Sequence, residues 1–322
     1  MNVVPVAMEP VSTHTSLPPS SLIVCSRNRP TLLAETIESV LRGDEVPSEI
    51  IIIDQSAKPH TALAALKPER ACVVRYRQSP SVGVSRARNE GIAAAQHDLL
   101  SLIDDDMWAA SNWFGALMRA LMEAGPRSVV CGQVRPSEEP AAGAFVPATK
   151  TDMAPAIYTA PGSVDVLYGN HFALYRSTLD DIGPFDERLG PGTIFPGAED
   201  SDWGFRLLRG GYRIIYAPQA VLYHRGWRSK QDYLRLRWNY GLGRGAFYAK
   251  YLSRQDPYTA RRLISDVRGH LLPLPRQIWR DRARSYGDAL LAGGVLWGAV
   301  RWLISYGRSR AASAGQLTRS RS

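Results

Sequence analysis

Three acids in a row, Asp104, Asp105 and Asp106, follow the apolar run Leu99-Leu100-Ser101-Leu102-Ile103. Carboxylates crowded at the mouth of a buried strand repel one another and need a cation to be tolerable. Mg²⁺ and Mn²⁺ favour one or two carboxylates plus substrate phosphate oxygens, so an Asp-x-Asp pair here could hold an ion against a diphosphate. A solvated acidic turn is the plain alternative, and the apolar strand in front of the acids is what favours chemistry. His224 ends a second apolar run, Ala220-Val221-Leu222-Tyr223, and could add a nitrogen ligand to an ion already held by acids. Asp200 lies in Gly197-Ala198-Glu199-Asp200-Ser201-Asp202-Trp203, where a helix opens. There a carboxylate either caps the helix or takes a proton from a reacting hydroxyl.

Two further groups could bind a ligand. Asp54, directly after Ile50-Ile51-Ile52-Ile53, could accept hydrogen bonds from a sugar hydroxyl or a base N–H, or cap its own turn. Arg86, Arg88 and Asn89 sit between Gly83 and Gly91 in SVGVSRARNEGIAAA, at the start of a helix. Arginines and free backbone N–H groups there suit an anion. A surface helix with scattered arginines would look the same.

The elements that must position these groups alternate. Leu22–Cys25 reads as a strand ending in Ser26-Arg27-Asn28-Arg29-Pro30, and Leu33, Ile37, Val40 and Leu41 recur at a helical period. Ile50–Ile53 is apolar on both faces, as a central parallel strand is. Strands at Cys72–Tyr76 and Leu99–Ile103 flank a helix at Ser85–Ala95. This spacing predicts an α/β fold with a doubly wound, mostly parallel sheet whose ligand crevice lies at the strands' carboxyl ends. The Pro-rich span from Arg135 to Gly162 reads as a long loop. Beyond it come strands at Val164–Leu167, Phe172–Tyr175, Ile214–Tyr216 and Ala220–Tyr223, and helices at Ser201–Arg209 and Ser229–Leu252.

Composition sets the outer limits. With 322 residues, 45% hydrophobic and 21% charged, the chain can build one large α/β domain and an appendage. Cys25, Cys72 and Cys131 are far apart, which argues against a disulfide framework or a zinc site. The net charge of +9 is unevenly spread: 19 Lys/Arg against 25 Asp/Glu up to His224, then 20 against 5 beyond it. A basic C-terminal region on an acidic body fits an anionic membrane surface or nucleic acid. Ala289–Val300 is apolar for 12 residues, which is short of the roughly 20 needed to span a bilayer. It suits a buried helix or an interfacial one with Trp297 and Trp302 at headgroup depth. The first 20 residues lack the basic start and apolar run of a signal peptide and read as a disordered leader.

In order, these segments resemble the family 2 glycosyltransferases, the large inverting GT-A family, over about Leu22 to His224. The resemblance rests on Ser26–Pro30, Asp54, GVSRARNEG, Asp104-Asp105-Asp106, Gly169-Asn170, Ile182–Glu187, Glu199-Asp200, Gly211–Ile214 and His224. It implies a GT-A domain at 21–224, with nucleotide-sugar binding at about 21–132 and the acceptor and catalytic part at about 163–224. Residues 225–322 would be a basic, aromatic-rich helical extension. In that family pattern Asp54, Arg86, Arg88, Asn89, Asp104 and Asp105 would face the nucleotide sugar, and Asp106 and His224 would bind Mg²⁺ or Mn²⁺. Asp200 would be the general base, and Asn170, Glu199 and Trp203 would lie on the acceptor side. The implied donor is a UDP-, dTDP- or GDP-linked sugar, and the acceptor a glycan or lipid-linked glycan. The third acid leaves the metal ligand open among the three.

Two other readings compete. A nucleic-acid-binding protein would use the basic region but leaves the acids unexplained, and no zinc-finger, KH or RRM signature is present. A GT-A-like nucleotidyltransferase would share the sheet and release diphosphate. The expected location is cytoplasmic, peripheral on the inner face of the membrane.

Overall fold

The computed structural model describes residues 16–68, 70–137, 145–161, 166–252 and 257–319, with the side chains of 230 and of 308–319 left aside. The chain divides into two compact units, one running up to Glu187 and including Asp200–Arg228, the other made of Arg188–Glu199 and Ser229 onward.

In the first unit the order is β1 (Ser20–Ser26), α1 (Pro30–Leu41), β2 (Glu49–Asp54), α2 (Thr61–Ala64), β3 (Val73–Gln78), α3 (Val84–Ala94) and β4 (Leu99–Asp104). Then follow β5 (Met107–Ala109), α4 (Trp113–Ala124), β6 (Ser128–Pro136), β7 (Ala156–Tyr158), β8 (His171–Tyr175), α5 (Ser177–Ile182), α6 (Glu199–Arg209) and β9 (Arg213–His224). They form one sheet in the order β3-β2-β1-β4-β8-β6-β9-β5, with β7 also paired to β9.

The sheet is mixed. β1 pairs in parallel with β2 and β4, β2 with β3, and β6 with β9. β8 inserts antiparallel between β4 and β6, and β5 and β7 run antiparallel to β9. The α/β architecture is the one the strand–helix alternation predicts. Three of the four strands at its parallel end are legible because Leu22–Val24, Ile50–Ile53 and Leu99–Ile103 are buried throughout, as strands covered on both faces must be, while β3 is the exposed edge. Register puts Ser26 beside Asp54 and Cys25 beside Asp104, so the loops after β1, β2 and β4 open at one edge.

Several boundaries differ from the sequence expectation. Ser20, placed in the leader, already belongs to β1, while residues 1–15 lie outside the described residues. The two segments at 214–216 and 220–223 are one twelve-residue strand, β9, bent where its register against β6 shifts at Gly132/Gln133. The Pro-rich span carries β7, with 138–144 outside the described residues. Val166 and Leu167 are buried but irregular, and residues 162–165 are not described. α4 was not anticipated. Its Trp113, Phe114, Leu117, Met118 and Leu121 recur at helical spacing and are all buried. The three cysteines are free.

The second unit is helical: α7 (Lys230–Lys250), α8 (Tyr258–Leu271), α9 (Leu274–Gln277) and α10 (Arg282–Arg319). α7 starts with a capping box: the Ser229 hydroxyl accepts from Asp232 N–H (3.3 Å) and the Asp232 carboxylate from Ser229 N–H (3.1 Å). α10 packs on α7 at small residues. A Cβ on Gly241 would lie 2.9 Å from Gly294 Cα, and one on Gly294 would lie 2.7 Å from Trp238 O. Gly241/Gly245 and Gly294/Gly298 thus form matching four-residue spacings that let the two backbones touch. Gly294→Val should force them apart and destabilise the chain by about 1–3 kcal/mol, read as a lower midpoint in urea denaturation; an unchanged midpoint would show that the crossing tolerates a side chain.

Two expectations about α10 are corrected. The uninterrupted apolar stretch is 12 residues, but the helix continues on both sides, and Arg282–Gly307 is long and apolar enough, by length and composition, to cross a membrane. A packed core helix passes the same test, and α10 buries Leu291, Ala292, Val295 and Ala299. Trp302 is not at an outer surface. It is 4% exposed, against Phe195 (5.3 Å) and Tyr306 (4.7 Å), because the helical period turns it to the inner face.

Candidate active site

The site is built where β1, β2 and β4 end. After β4 the chain turns through Asp105 and Asp106 into β5, whose Met107 pairs with His224 at the end of β9. That pairing sets His224 Nε2 3.3 Å from Asp106 Oδ1. His224 Nδ1 lies 2.8 Å from Pro147 O, which fixes the tautomer with the proton on Nδ1 and leaves the Nε2 lone pair facing Asp106. In the neutral ring both facing atoms are acceptors, and Asp106 Oδ1 is buried without a hydrogen-bond donor. Only a proton on Nε2 or a cation can satisfy that pair.

The residues fit a hard cation. Ligands at about 2.1 Å in neighbouring octahedral positions sit about 3 Å apart, close to the observed spacing. Gly226 leaves the space open: a Cβ there would run into His224 Nε2 and come within 3.0 Å of Asp106 Oδ2. Among the described residues no group of three or more His, Cys, Asp or Glu is gathered to enclose a metal by itself. The remaining positions would therefore fall to water and substrate oxygens, as at phosphate sites generally. Gly226→Ala, by pushing His224 away from Asp106, is expected to weaken Mn²⁺ binding at least tenfold as followed by calorimetric titration, in a protein whose circular dichroism still shows it folded. Wild-type affinity in that variant would remove Gly226 from the site.

The three acids differ in their surroundings. Asp104 is the most open, its side chain 35% exposed, and accepts from Arg88 Nη2 (3.1 Å). Asp105 is buried and accepts from the Ser26 hydroxyl (2.6 Å) and Arg29 Nη1 (3.1 Å), which makes it a brace between β4 and the turn after β1. Arg29 Nη1 also reaches Asp106 Oδ2 (3.0 Å). Burial pushes Asp105 up to about 6 against the pull of Arg29, and raises Asp104 against Arg88. Burial also opposes ionisation of Asp106, but His224 and Arg29 outweigh it and hold Asp106 below the usual carboxylate range.

Arg88 links the two halves of the site. It is buried, and besides Asp104 it donates to Gly169 O (2.7 Å), while Gly169 N–H lies 3.4 Å from Asp200 Oδ2. Asp200 Oδ1 accepts from Ser201 N–H (2.7 Å) in the first turn of α6. Next to Gly169, Asn170 donates to Ala148 O (3.1 Å), and its buried Oδ1 has no donor. Glu199 opens α6 and is buried.

Other candidates serve as supports. Asn89 brackets Phe185, donating to its O and accepting from its N–H (both 3.0 Å), and Arg86 pairs with Glu187 (2.9 Å). Both hold the segment after α5, not an open anion cradle, because α3 presents these side chains to that segment. Trp203 has no exposed surface. It stacks on Phe185 (4.9 Å), lies 5.8 Å from Phe172, and donates to Gly183 O (3.1 Å). It underpins α6 and has no surface to offer an acceptor.

Asp54 is buried, accepting from Tyr76 Oη (2.6 Å) and Ser56 N–H (2.9 Å). Asp54 does not itself line the neighbouring cavity of about 430 Å³, which is formed by Arg27 and Asn28 after β1, Gln55 and Ser56 after β2, and Gln78 and Ser79 at the end of β3. Gln55 spans to Ser81 (2.8 Å) and both backbone atoms of Gly83. Sequence reasoning did not single out Arg29 or Gly226. Arg29 stood in a recognised turn, but nothing in the chain order shows that it reaches acids 76 and 77 residues on.

Comparison with known proteins agrees with this geometry. The profile described as Glycosyl transferase family 2 matches residues 21–181, half of the chain. The chain is similar to the chondroitin synthase of Pasteurella multocida, 24% identical over 306 residues, covering 83% of this chain and 30% of that protein's length. A glucosyl-dolichyl phosphate glucuronosyltransferase of Haloferax volcanii is 26% identical over 239 residues, 67% of this chain and 73% of that one. A mannosyltransferase from Pyrobaculum calidifontis, solved with GDP-Man and Mn²⁺, superposes with a TM-score of 0.55 at 19% identity, covering 92% of this chain and 81% of its own. With the profile spanning β1 through α5 and the sheet arranged as in GT-A proteins, the chain belongs to glycosyl transferase family 2.

Proposed function

We propose that the chain is an inverting, metal-dependent glycosyltransferase acting in polysaccharide or glycolipid biosynthesis. It would take a sugar from a UDP-, dTDP- or GDP-linked donor and pass it to a hydroxyl of a glycan or lipid-linked glycan. The observation that carries this reading is the Asp106–His224 pair beneath Gly226, joined through Asp104, Arg88 and Gly169 to Asp200.

In this reading the base and ribose occupy the cavity beside Asp54, Gln55 and Ser56, and Asp104 receives the ribose side. Asp106 and His224 would hold Mg²⁺ or Mn²⁺, and that ion would supply positive charge against the diphosphate. Asp200 accepts the proton of the acceptor hydroxyl as its oxygen attacks the anomeric carbon from the face opposite the leaving group. The C–O bond to the diphosphate breaks, the nucleoside diphosphate departs, and the configuration inverts. Arg29 bridges Asp105 and Asp106 and so screens their repulsion before ligand arrives. The basic charge of the second unit supports a peripheral position at an anionic membrane surface, where a lipid-linked acceptor would reside.

A thermal-shift screen of nucleoside diphosphates with and without Mn²⁺ tests the assignment. One nucleotide should stabilise the protein in the presence of the metal only. Equal shifts without metal, or none with any nucleotide, would count against it.

A further inference from the structure

The second unit carries a surface that the transfer reaction does not use. Of the 16 large apolar side chains exposed among the described residues, 11 lie between Ile264 and Ile304. Such concentration marks an interaction surface, whereas exposed apolar residues scattered singly do not. On α10, Leu296, Trp297, Val300, Leu303 and Ile304 follow the i, i+1, i+4, i+7, i+8 spacing of one helix face, each between 46% and 69% exposed.

That face is free of charge for a physical reason. The two charged residues in this part of the helix turn inward: Asp288 pairs with Arg237 and His270, and Arg301 lies over the Phe195 ring at 5.9 Å. Just before the helix stands Trp279, 83% exposed, among the exposed Arg276, Arg280, Arg282 and Arg284, with Asp281 the lone acid between them. An exposed arginine cluster with Trp279 at the start of α10, followed further along the helix by a charge-free apolar stripe, matches the chemistry of an anionic bilayer interface, with phosphate for the arginines and acyl chains for the stripe.

We propose that this surface docks in the interface of an anionic lipid bilayer, with the α10 stripe and Trp279 entering the acyl boundary and the arginines meeting lipid phosphate. The proposal deepens the membrane-associated reading above and rests on it. Docking is interfacial and not spanning. The inner face of α10 is already packed on α7, and the Asp288–Arg237 pair would have to be carried into hydrocarbon.

Flotation of the full chain with vesicles tests it. The protein should rise with phosphatidylglycerol-containing vesicles at low salt, stay behind with pure phosphatidylcholine, and be released by alkaline carbonate. Arg276→Gln, Arg280→Gln, Arg282→Gln and Arg284→Gln together should lower the partition on the order of a thousandfold, since each surface arginine contributes about fivefold. Trp279→Ser with Trp297→Ser and Ile304→Ser should abolish it. All these side chains are exposed, so both variants should keep the wild-type melting temperature. Protein that never floats, that binds neutral vesicles equally well, or that resists carbonate would overturn the proposal. So would a wild-type dimer that the apolar variant converts to monomer, which would assign the face to a second copy. Flotation without turnover of any nucleotide sugar would leave docking standing and refute the transfer reading; turnover without flotation would do the reverse.

Discussion

Asp200→Asn is expected to lower sugar transfer about a thousandfold while nucleotide binding stays within twofold of wild type. A positioned base contributes about 10²–10⁴ in rate, and the amide has the shape of the carboxylate but no capacity to take the proton. Asn keeps one oxygen able to accept from Ser201 N–H (2.7 Å), and its amide nitrogen replaces only the oxygen that makes the long 3.4 Å contact with Gly169 N–H. The loss should fall on kcat, with the donor KM little changed, because the carboxylate acts on the acceptor. Full activity in this variant would remove Asp200 as the base.

Asp106→Asn is the second large effect. It should remove Mn²⁺-dependent stabilisation and cost about a hundredfold or more in kcat/KM, in keeping with the several kcal/mol that a bound cation gives to a developing oxyanion. The pair also predicts a pH dependence. Burial works to lower the His224 pKa, but the Asp106 carboxylate outweighs it and raises it above 6.5. In the metal-free protein the His224–Asp106 contribution to stability is therefore fully present below 6.5 and is lost as pH rises through the elevated value. A metal needs the neutral ring, so the Mn²⁺-induced thermal shift should grow over that same rise. Asp106→Asn should flatten both trends. A Mn²⁺ shift independent of pH in the wild type would mean that His224 is not a ligand.

The parts of this site that sequence displayed are those whose signal is local. The buried strands β1, β2 and β4 and the end of β9 announce themselves as apolar runs, and a polar residue directly after such a run must stand at the sheet's carboxyl edge, which is why Asp54, Asp104–Asp106 and His224 could be named. Direction of a side chain is another matter. Asn89 and Trp203 occupy motif positions, yet one braces Phe185 and the other lies in the core, since helix phase and not residue type decides which way each points. Arg29 and Gly226 matter only because β1, β4 and β9 are brought into register across the sheet, a relation between segments that no window of the chain contains. α10 shows the same limit: its apolar stretch was plain, but only its contact with α7 tells that Trp302 faces inward and Trp297 outward.

The most direct test of the central claim is to follow nucleotide-sugar turnover with and without EDTA, identifying the phosphorus-containing product. One nucleotide sugar should be consumed with release of a nucleoside diphosphate, and EDTA should abolish the reaction until Mn²⁺ or Mg²⁺ is restored. Formation of a sugar 1-phosphate and a nucleoside triphosphate when inorganic diphosphate is supplied would make the protein a nucleotidyltransferase, and turnover indifferent to EDTA would contradict the metal site at Asp106 and His224.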